Sequence, residues 1–186
     1  IPTIKRLSDH PKLHFLGIHA HIGSQIFDIT PFEDLAEIMT QHIVSIQNEL
    51  GIKVEELNVG GGIGISYTKE DDPPEIPDVL EKMVSHLKNR LDDHNITHPK
   101  LLVEPGRSTI ATAGVTLYTV GAIKEIPGIK DYIFVDGGMA DNPRPIMYQA
   151  EYTFDLANKM DINHHQVYTI AGKFCESGDI LGKDIS

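Results

Sequence analysis

Two histidines, a run of three glycines, a Glu-Pro-Gly-Arg segment and one cysteine beside acids are the residues here whose types and spacing can do chemistry. His19 and His21 are two apart, so on an extended chain they point the same way, and such a pair at a strand end can bind a metal. That reading leads to a metal-dependent hydrolase, although no third histidine stands in an obvious position; a hydrogen-bonded interior imidazole explains either residue equally well. Gly60, Gly61 and Gly62 let backbone N–H groups close on an anion without side-chain obstruction, as phosphate cradles do, while a tight turn accounts for the same run. Ser24 can add a hydroxyl donor, or be an ordinary turn residue. Glu104 is followed by the strand-breaking Pro105 and Gly106 and by Arg107, whose planar guanidinium suits a carboxylate or phosphate. A structural Glu104–Arg107 ion pair is the plainer alternative. Arg144 and Tyr148 fall four apart, and Cys175-Glu176-Ser177-Gly178-Asp179 joins the only thiol to two acids, although a lone cysteine is by default a small buried hydrophobe.

These residues need elements to hold them. Leu13 to His19 is a short apolar run that suits a buried strand. Thr30, Pro31 and Glu33 predict a helix start as N-cap, first helical residue and capping-box acid, and Phe32, Leu35, Met39, Ile43, Ile46 and Leu50 form its apolar face. Gly51 stands where a left-handed C-cap is needed. Val54 to Val59 reads as a second strand, Pro77 opens a second helix with Val79, Leu80, Met83, Val84, Leu87 and Leu91 on one face, and Lys100 to Glu104 is a third strand. The order β-α-β-α-β implies parallel pairing, in a doubly wound sheet or part of a (β/α)8 barrel, with ligands at the carboxyl ends of the strands. His21, Gly60 and Glu104 all lie there. Beyond Arg107, Val115 to Val120 alternates, and Tyr132 to Val135 and Val167 to Ile170 are strand-like, with no strong helix signal between them. A β-rich module is expected, joined near residues 108 to 114.

Composition bounds the partners. In 186 residues, 40% hydrophobic and 23% charged, one or two globular domains are expected. With 27 acidic against 16 basic residues, the net charge of -11 repels nucleic acid and anionic lipid. One cysteine excludes an intrachain disulfide, and the lack of a signal-like or long apolar run leads to an expected cytoplasmic location. The start at Ile1 and the stop at Ser186 lead to the expectation of a piece of a longer protein.

His21-Ile22-Gly23-Ser24-Gln25, Asn58-Val59-Gly60-Gly61-Gly62-Ile63-Gly64, Glu104-Pro105-Gly106-Arg107-Ser108, Arg144-Pro145 with Tyr148, and Cys175-Glu176-Ser177-Gly178-Asp179 resemble, in order, the motifs of the diaminopimelate decarboxylase family. They span nearly the whole chain. The resemblance implies a pyridoxal 5'-phosphate (PLP)-binding (β/α)8 barrel of the TIM type, its C-terminal portion being residues 1–110, followed by part of a β-rich, sandwich- or barrel-like domain at residues 111–186. A closed barrel needs roughly 250 residues, so only its last strands are expected.

The same resemblance implies that Ser24, Gly60, Gly61 and Gly62 hold the cofactor phosphate, that His21 stacks on the ring, that Glu104 faces the ring nitrogen, and that Pro105, Gly106 and Arg107 belong to the cofactor site. Cys175 and His21 become the catalytic residues, with Cys175 a proton donor, and Arg107, Arg144, Tyr148 and Glu176 the substrate-binding ones. The implied reaction converts meso-2,6-diaminopimelate to L-lysine and CO2, in a homodimer with shared sites. The lysine that holds the cofactor covalently in such enzymes has no counterpart in this sequence, so the chain by itself is expected to be inactive. Alternatives are a related decarboxylase of ornithine, arginine or carboxynorspermidine, or a noncatalytic regulatory homologue; Arg144, Tyr148 and Glu176 favour a substrate with a second amino-acid head.

Overall fold

The structure of the chain, a computed structural model, describes residues 1–162 and 166–186. It divides into two compact units, Ile1–Ser66 with Glu70–Ala113, and Tyr67–Lys69 with Gly114–Ser186.

In the first unit, helix α1 (Pro2–Ser8) precedes β1 (Gly17–His19), α2 (Thr30–Leu50), β2 (Glu56–Asn58), α3 (Ile76–Asp93), β3 (Lys100–Leu102) and the short α4 (Arg107–Ile110). The strands pair in parallel in the order β1-β2-β3, with Ile18 opposite Leu57 and Leu57 opposite Leu101. Each strand is shorter than its apolar run, because regular pairing extends over three residues while Phe15, Val54 and Val59 continue into the core without it. Gly17 is fixed by close approach: a Cβ there would lie 1.8 Å from the Glu56 carbonyl oxygen.

The two long helices bury the faces their periodicity predicts. Phe32, Leu35, Met39, Ile43 and Ile46 from α2 meet Val79, Met83, Leu87 and Leu91 from α3 in one cluster with Leu57 and Val59. Leu50, Leu80 and Val84 are only partly buried. Gly51 closes α2 in the left-handed conformation at φ 66°, its N–H donating to Gln47 O at 2.9 Å. The expected capping box is absent: Ile29 is the N-cap, and Thr30 is already helical. Asp28 supplies the acceptor instead, its Oδ1 taking the Thr30 N–H and hydroxyl at 3.0 Å each.

The second unit holds a four-stranded sheet in the order β4 (Val120–Ile126), β5 (Lys130–Val135), β6 (Tyr168–Ala171), β7 (Ile180–Ile185), with α5 (Arg144–Tyr148) between β5 and β6 in sequence. Its β4–β5 and β6–β7 pairs are antiparallel and its β5–β6 pair parallel. Gly128, at φ 75°, turns the first hairpin. Residues 115–119, expected as strand, are not: the ladder begins only at Val120, and Val115 and Leu117 stand exposed, since an alternating pattern makes a strand only where a neighbour offers hydrogen bonds. The expectation of no helix in this region misses α5, whose five residues are too few to show a 3.6-residue period.

Helices α2 and α3 are also joined by charge. Arg90 donates to both Glu37 carboxylate oxygens, at 2.5 and 3.0 Å, and the Arg90 hydrogen bonds hold the Glu37 carboxyl down to about 2 from its ordinary 4.5. A depressed folded-state value contributes stability that is complete above 4.5 and lost as pH falls through about 2. Acid titration followed by circular dichroism is expected to show helix loss in that window, and Glu37→Gln to flatten it; an unaltered acid limb would remove the link from the account.

Candidate active site

The three parallel strands deliver their successors to one end. Beyond the ladder, Ala20 N–H donates to Asn58 O (3.0 Å), Val59 N–H to Leu102 O (3.1 Å) and Glu104 N–H to Gly60 O (2.7 Å). The loops after β1 and β2 also bridge each other, with Ile26 N–H to Gly62 O and Gly64 N–H to Ile26 O, both 3.0 Å. Thus His21, Ser24, the glycine run and Glu104, up to 83 positions apart in sequence, share one rim.

The glycines answer first to backbone packing. A Cβ on Gly60 would lie 2.7 Å from Ala20 O, on Gly61 2.1 Å from Glu104 O, and on Gly62 2.3 Å from Gly23 O. Gly60 and Gly62 also take φ of 69° and 107°. With every side chain removed, the turn presents bare amides. The Gly60 N–H donates to Asn58 Oδ1 at 2.8 Å and the Gly61 N–H to His21 Nδ1 at 3.2 Å. Among the described residues, the Gly62 and Ile63 amides donate to no protein group.

Two side-chain amides tie the rim together, and neither was singled out from the sequence. Asn58 accepts from Gly60 through Oδ1 and donates through Nδ2 to Glu104 Oε1 at 2.8 Å. Gln25, at φ 62°, donates to Ile65 O at 2.6 Å and accepts from Arg107 Nη1 at 3.4 Å. Arg107, first residue of α4, also donates to Ser24 Oγ. Glu104 keeps a half-exposed carboxylate whose second oxygen lies 3.8 Å from His19 Nε2. Because His21 Nδ1 accepts an N–H, its neutral ring carries the proton on Nε2. Among the described residues no group of three or more His, Cys, Asp or Glu could hold a metal ion.

The second unit groups the remaining candidates. Arg144 opens α5 with its guanidinium 5.8 Å from the Tyr67 ring centre and 5.5 Å from that of Tyr148, a cation–π arrangement. Cys175 is exposed in the turn between β6 and β7, where Glu176 Oε1 accepts the Gly178 N–H at 3.2 Å. A Cβ on Gly178 would stand 3.8 Å from Ile146 of α5, so this turn and the Arg144 helix adjoin. Tyr118 donates to Asp141 Oδ2 at 2.7 Å, and burial with that carboxylate pushes its phenol up to about 12.

The fit to a phosphorylated ring cofactor follows from the donor set of the first unit: bare amides and a serine for an anion, an imidazole for a ring face, and a fixed carboxylate for a protonated ring nitrogen. Fold and rim together define part of an α/β domain whose polar groups gather at the carboxyl ends of parallel strands. The family model described as pyridoxal-dependent decarboxylase, pyridoxal binding domain, matches residues 1–111, and the chain belongs to that family. It is 49% identical over 180 residues to diaminopimelate decarboxylase of Synechocystis sp., covering 97% of this chain and 38% of the relative. Identity to the Bacillus subtilis enzyme of that name is 42% over 183 residues, covering 98% of this chain and 42% of the other. The crystal structure of M. jannaschii diaminopimelate decarboxylase in complex with L-lysine superimposes with a TM-score of 0.83 at 35% identity, covering 98% of this chain and 41% of that one. The chain therefore spans about two fifths of the length of these relatives. Its fold is part of the PLP-binding barrel and of the β-rich domain that follows it. No helix among the described residues is long and apolar enough to cross a membrane.

Because Gly61 lies against backbone, Gly61→Ala is expected to destabilise by about 1–3 kcal/mol through overpacking, read as a lower denaturation midpoint. Ser24→Ala is expected to keep stability within about 0.5 kcal/mol while weakening retention of pyridoxal phosphate. Equal midpoints for Gly61→Ala and the unaltered protein would show that the turn has room to move.

Proposed function

We propose that this chain is the part of a diaminopimelate decarboxylase that carries most of its cofactor and substrate groups, and that the complete enzyme converts meso-2,6-diaminopimelate to L-lysine and CO2. The observation that carries the reading is the Glu104 carboxylate, held by Asn58 at the strand ends beside the bare amides of the glycine turn. The L-lysine bound to the M. jannaschii enzyme supports the product.

When bound, pyridoxal phosphate supplies a ring that withdraws the electron pair left as CO2 departs. Glu104, as an anion, keeps a proton on the ring nitrogen and so maintains that withdrawal. Ser24 and the Gly60 to Gly62 turn hold the phosphate, the turn through the Gly62 and Ile63 amides that Asn58 and His21 leave open, His21 lies on the ring face, and Pro105, Gly106 and Arg107 complete the cofactor site. Arg107, Arg144 and Tyr148 bind the distal carboxylate of the substrate and Glu176 its distal ammonium. Cys175 delivers a proton to the substrate carbon that has lost CO2. In this reading residues 1–110 are the C-terminal portion of the barrel and residues 111–186 part of the β-rich domain. The complete protein is a cytoplasmic homodimer in which Cys175 and Glu176 serve the partner subunit's site.

The test is release of CO2 and lysine from meso-2,6-diaminopimelate by the full-length protein, with ornithine, arginine and carboxynorspermidine as competitors; preference for one of these would replace the substrate assignment. Glu104→Gln is expected to lower turnover by about 10²-fold or more while pyridoxal phosphate still binds, and unchanged turnover would reduce Glu104 to a structural role. The 186-residue chain alone is expected to release no CO2, because the lysine that bonds the cofactor is proposed to lie outside it. Borohydride reduction with pyridoxal phosphate checks this: one stoichiometrically labelled lysine together with CO2 release would overturn it.

A further inference from the structure

We propose that Asp179 is a positioning residue that sets Cys175 and Glu176 in place against the helix bearing Arg144 and Tyr148. The inference rests on the reading above only for what those four residues touch. Asp179 is 2% exposed, and its partners are amides of two separate segments. Oδ1 accepts the Met139 N–H at 2.7 Å and Oδ2 the Phe174 N–H at 2.9 Å. Met139 lies on the turn leading into α5, and Phe174 immediately precedes Cys175. One carboxylate therefore spans the approach to both groups of candidate residues.

The surrounding backbone is shaped for that carboxylate. A Cβ on Gly138 would lie 2.6 Å from Asp179 Oδ2, and one on Gly172 2.2 Å from the same atom, so both segments are bare where the acid sits. Asp179 also ties its own turn, accepting the Gly172 N–H at 2.8 Å through its carbonyl and donating to Glu176 O at 3.0 Å. The Lys173 N–H to Gly137 O bond, 3.0 Å, joins the same two segments. On the far side of the Gly138 turn, Asp141 Oδ2 accepts the Gly138 N–H at 3.1 Å and the Tyr118 hydroxyl.

Burying a carboxylate is costly even when it is hydrogen-bonded, and an apolar residue of similar volume would often pack there at less cost. An apolar residue cannot bind two amides. A buried acid that joins two loops, one next to the only thiol and one next to Arg144, thus fixes geometry where packing alone would leave it loose.

The test uses the full-length protein. Asp179→Asn keeps one acceptor and turns an N–H donor toward the other amide. It is expected to raise KM for the diamino diacid roughly tenfold and to change the rate of iodoacetamide labelling at Cys175, read by peptide mass spectrometry, at least about threefold, with pyridoxal phosphate affinity held within about twofold. Gly172→Ala displaces the carboxylate without removing it and is expected to move both readings in the same direction. Unchanged KM and labelling in folded Asp179→Asn would overturn the proposal, and a matching loss of cofactor affinity would overturn it too, marking a general stabiliser. Hydrogen exchange in the unaltered protein needs no variant to fold: slow exchange of the Met139 and Phe174 amides supports the clamp, and rapid exchange at both overturns it. If labelling responds but no diamino diacid is decarboxylated, the positioning role stands and the substrate reading falls.

Discussion

No side chain fits between Gly61 and the carbonyl of Glu104, where a Cβ would have only 2.1 Å. That closeness is what brings the β2 and β3 ends near enough for the Glu104 N–H to reach Gly60 O at 2.7 Å. The same logic repeats toward β1, where Gly60 meets Ala20 and Gly62 meets Gly23. Three loops from separate parts of the sequence are thereby locked at backbone level before any functional side chain is placed. Rigid backbone is the right base for a site that must hold a cofactor in one pose, because errors in position are costly for catalysis. It also means that substitutions in the glycine turn report on folding as well as on the anion binding proposed for it.

Onto this base the rim adds two amide side chains, each using its acceptor on one loop and its donor on another. Asn58 faces an N–H and a carboxylate, so its orientation is forced: oxygen to Gly60, nitrogen to Glu104. An aspartate there would set two carboxylates together, and a leucine would leave both groups without a partner. Gln25 does the corresponding work between Ile65 and Arg107. The Glu104 carboxylate is thus oriented by a neutral partner, which leaves its negative charge available to a cation or a protonated ring.

The long elements were legible in the sequence because two helices of 21 and 18 residues display several turns of apolar periodicity and carry Pro31, Pro77 and Gly51 at their ends. Strand lengths were not, since an apolar run records burial and says nothing of where a neighbouring ladder stops. Residues 115–119 make the point most clearly, alternating outside any ladder, with only Thr119 bonded to the Asp136 segment. Elements α1, α5 and β7 carried no signal that local pattern could separate from loop. Within the site, residues of distinctive chemistry stood out at strand ends, whereas their assigned roles came from the resemblance and not from spacing. Asn58, Gln25 and Asp179 stand inside the motifs without a role of their own for a physical reason: an amide or a buried acid that organises others has no recognisable pattern until its partners have positions.

The two units solve the problem of holding reactive groups differently. The first has a large core, in which α2 and α3 cover the sheet, and can rely on strand register. The second buries few large apolar side chains, chiefly Val135 and Leu181, under long connections between its strands. Connections of that length need polar contacts as well as packing to fix them, since each ordered residue costs about 1–2 kcal/mol of backbone entropy. Asp136, Asp141 and Asp179 supply such contacts by accepting backbone N–H groups from Thr119, Gly138, Met139 and Phe174. The Thr119 N–H holds the Asp136 carboxyl below its ordinary range, and the Tyr118 hydroxyl followed by the Gly138 N–H does the same for Asp141. Of the three, only Asp179 is withdrawn from solvent, while Asp136 and Asp141 organise backbone from exposed positions.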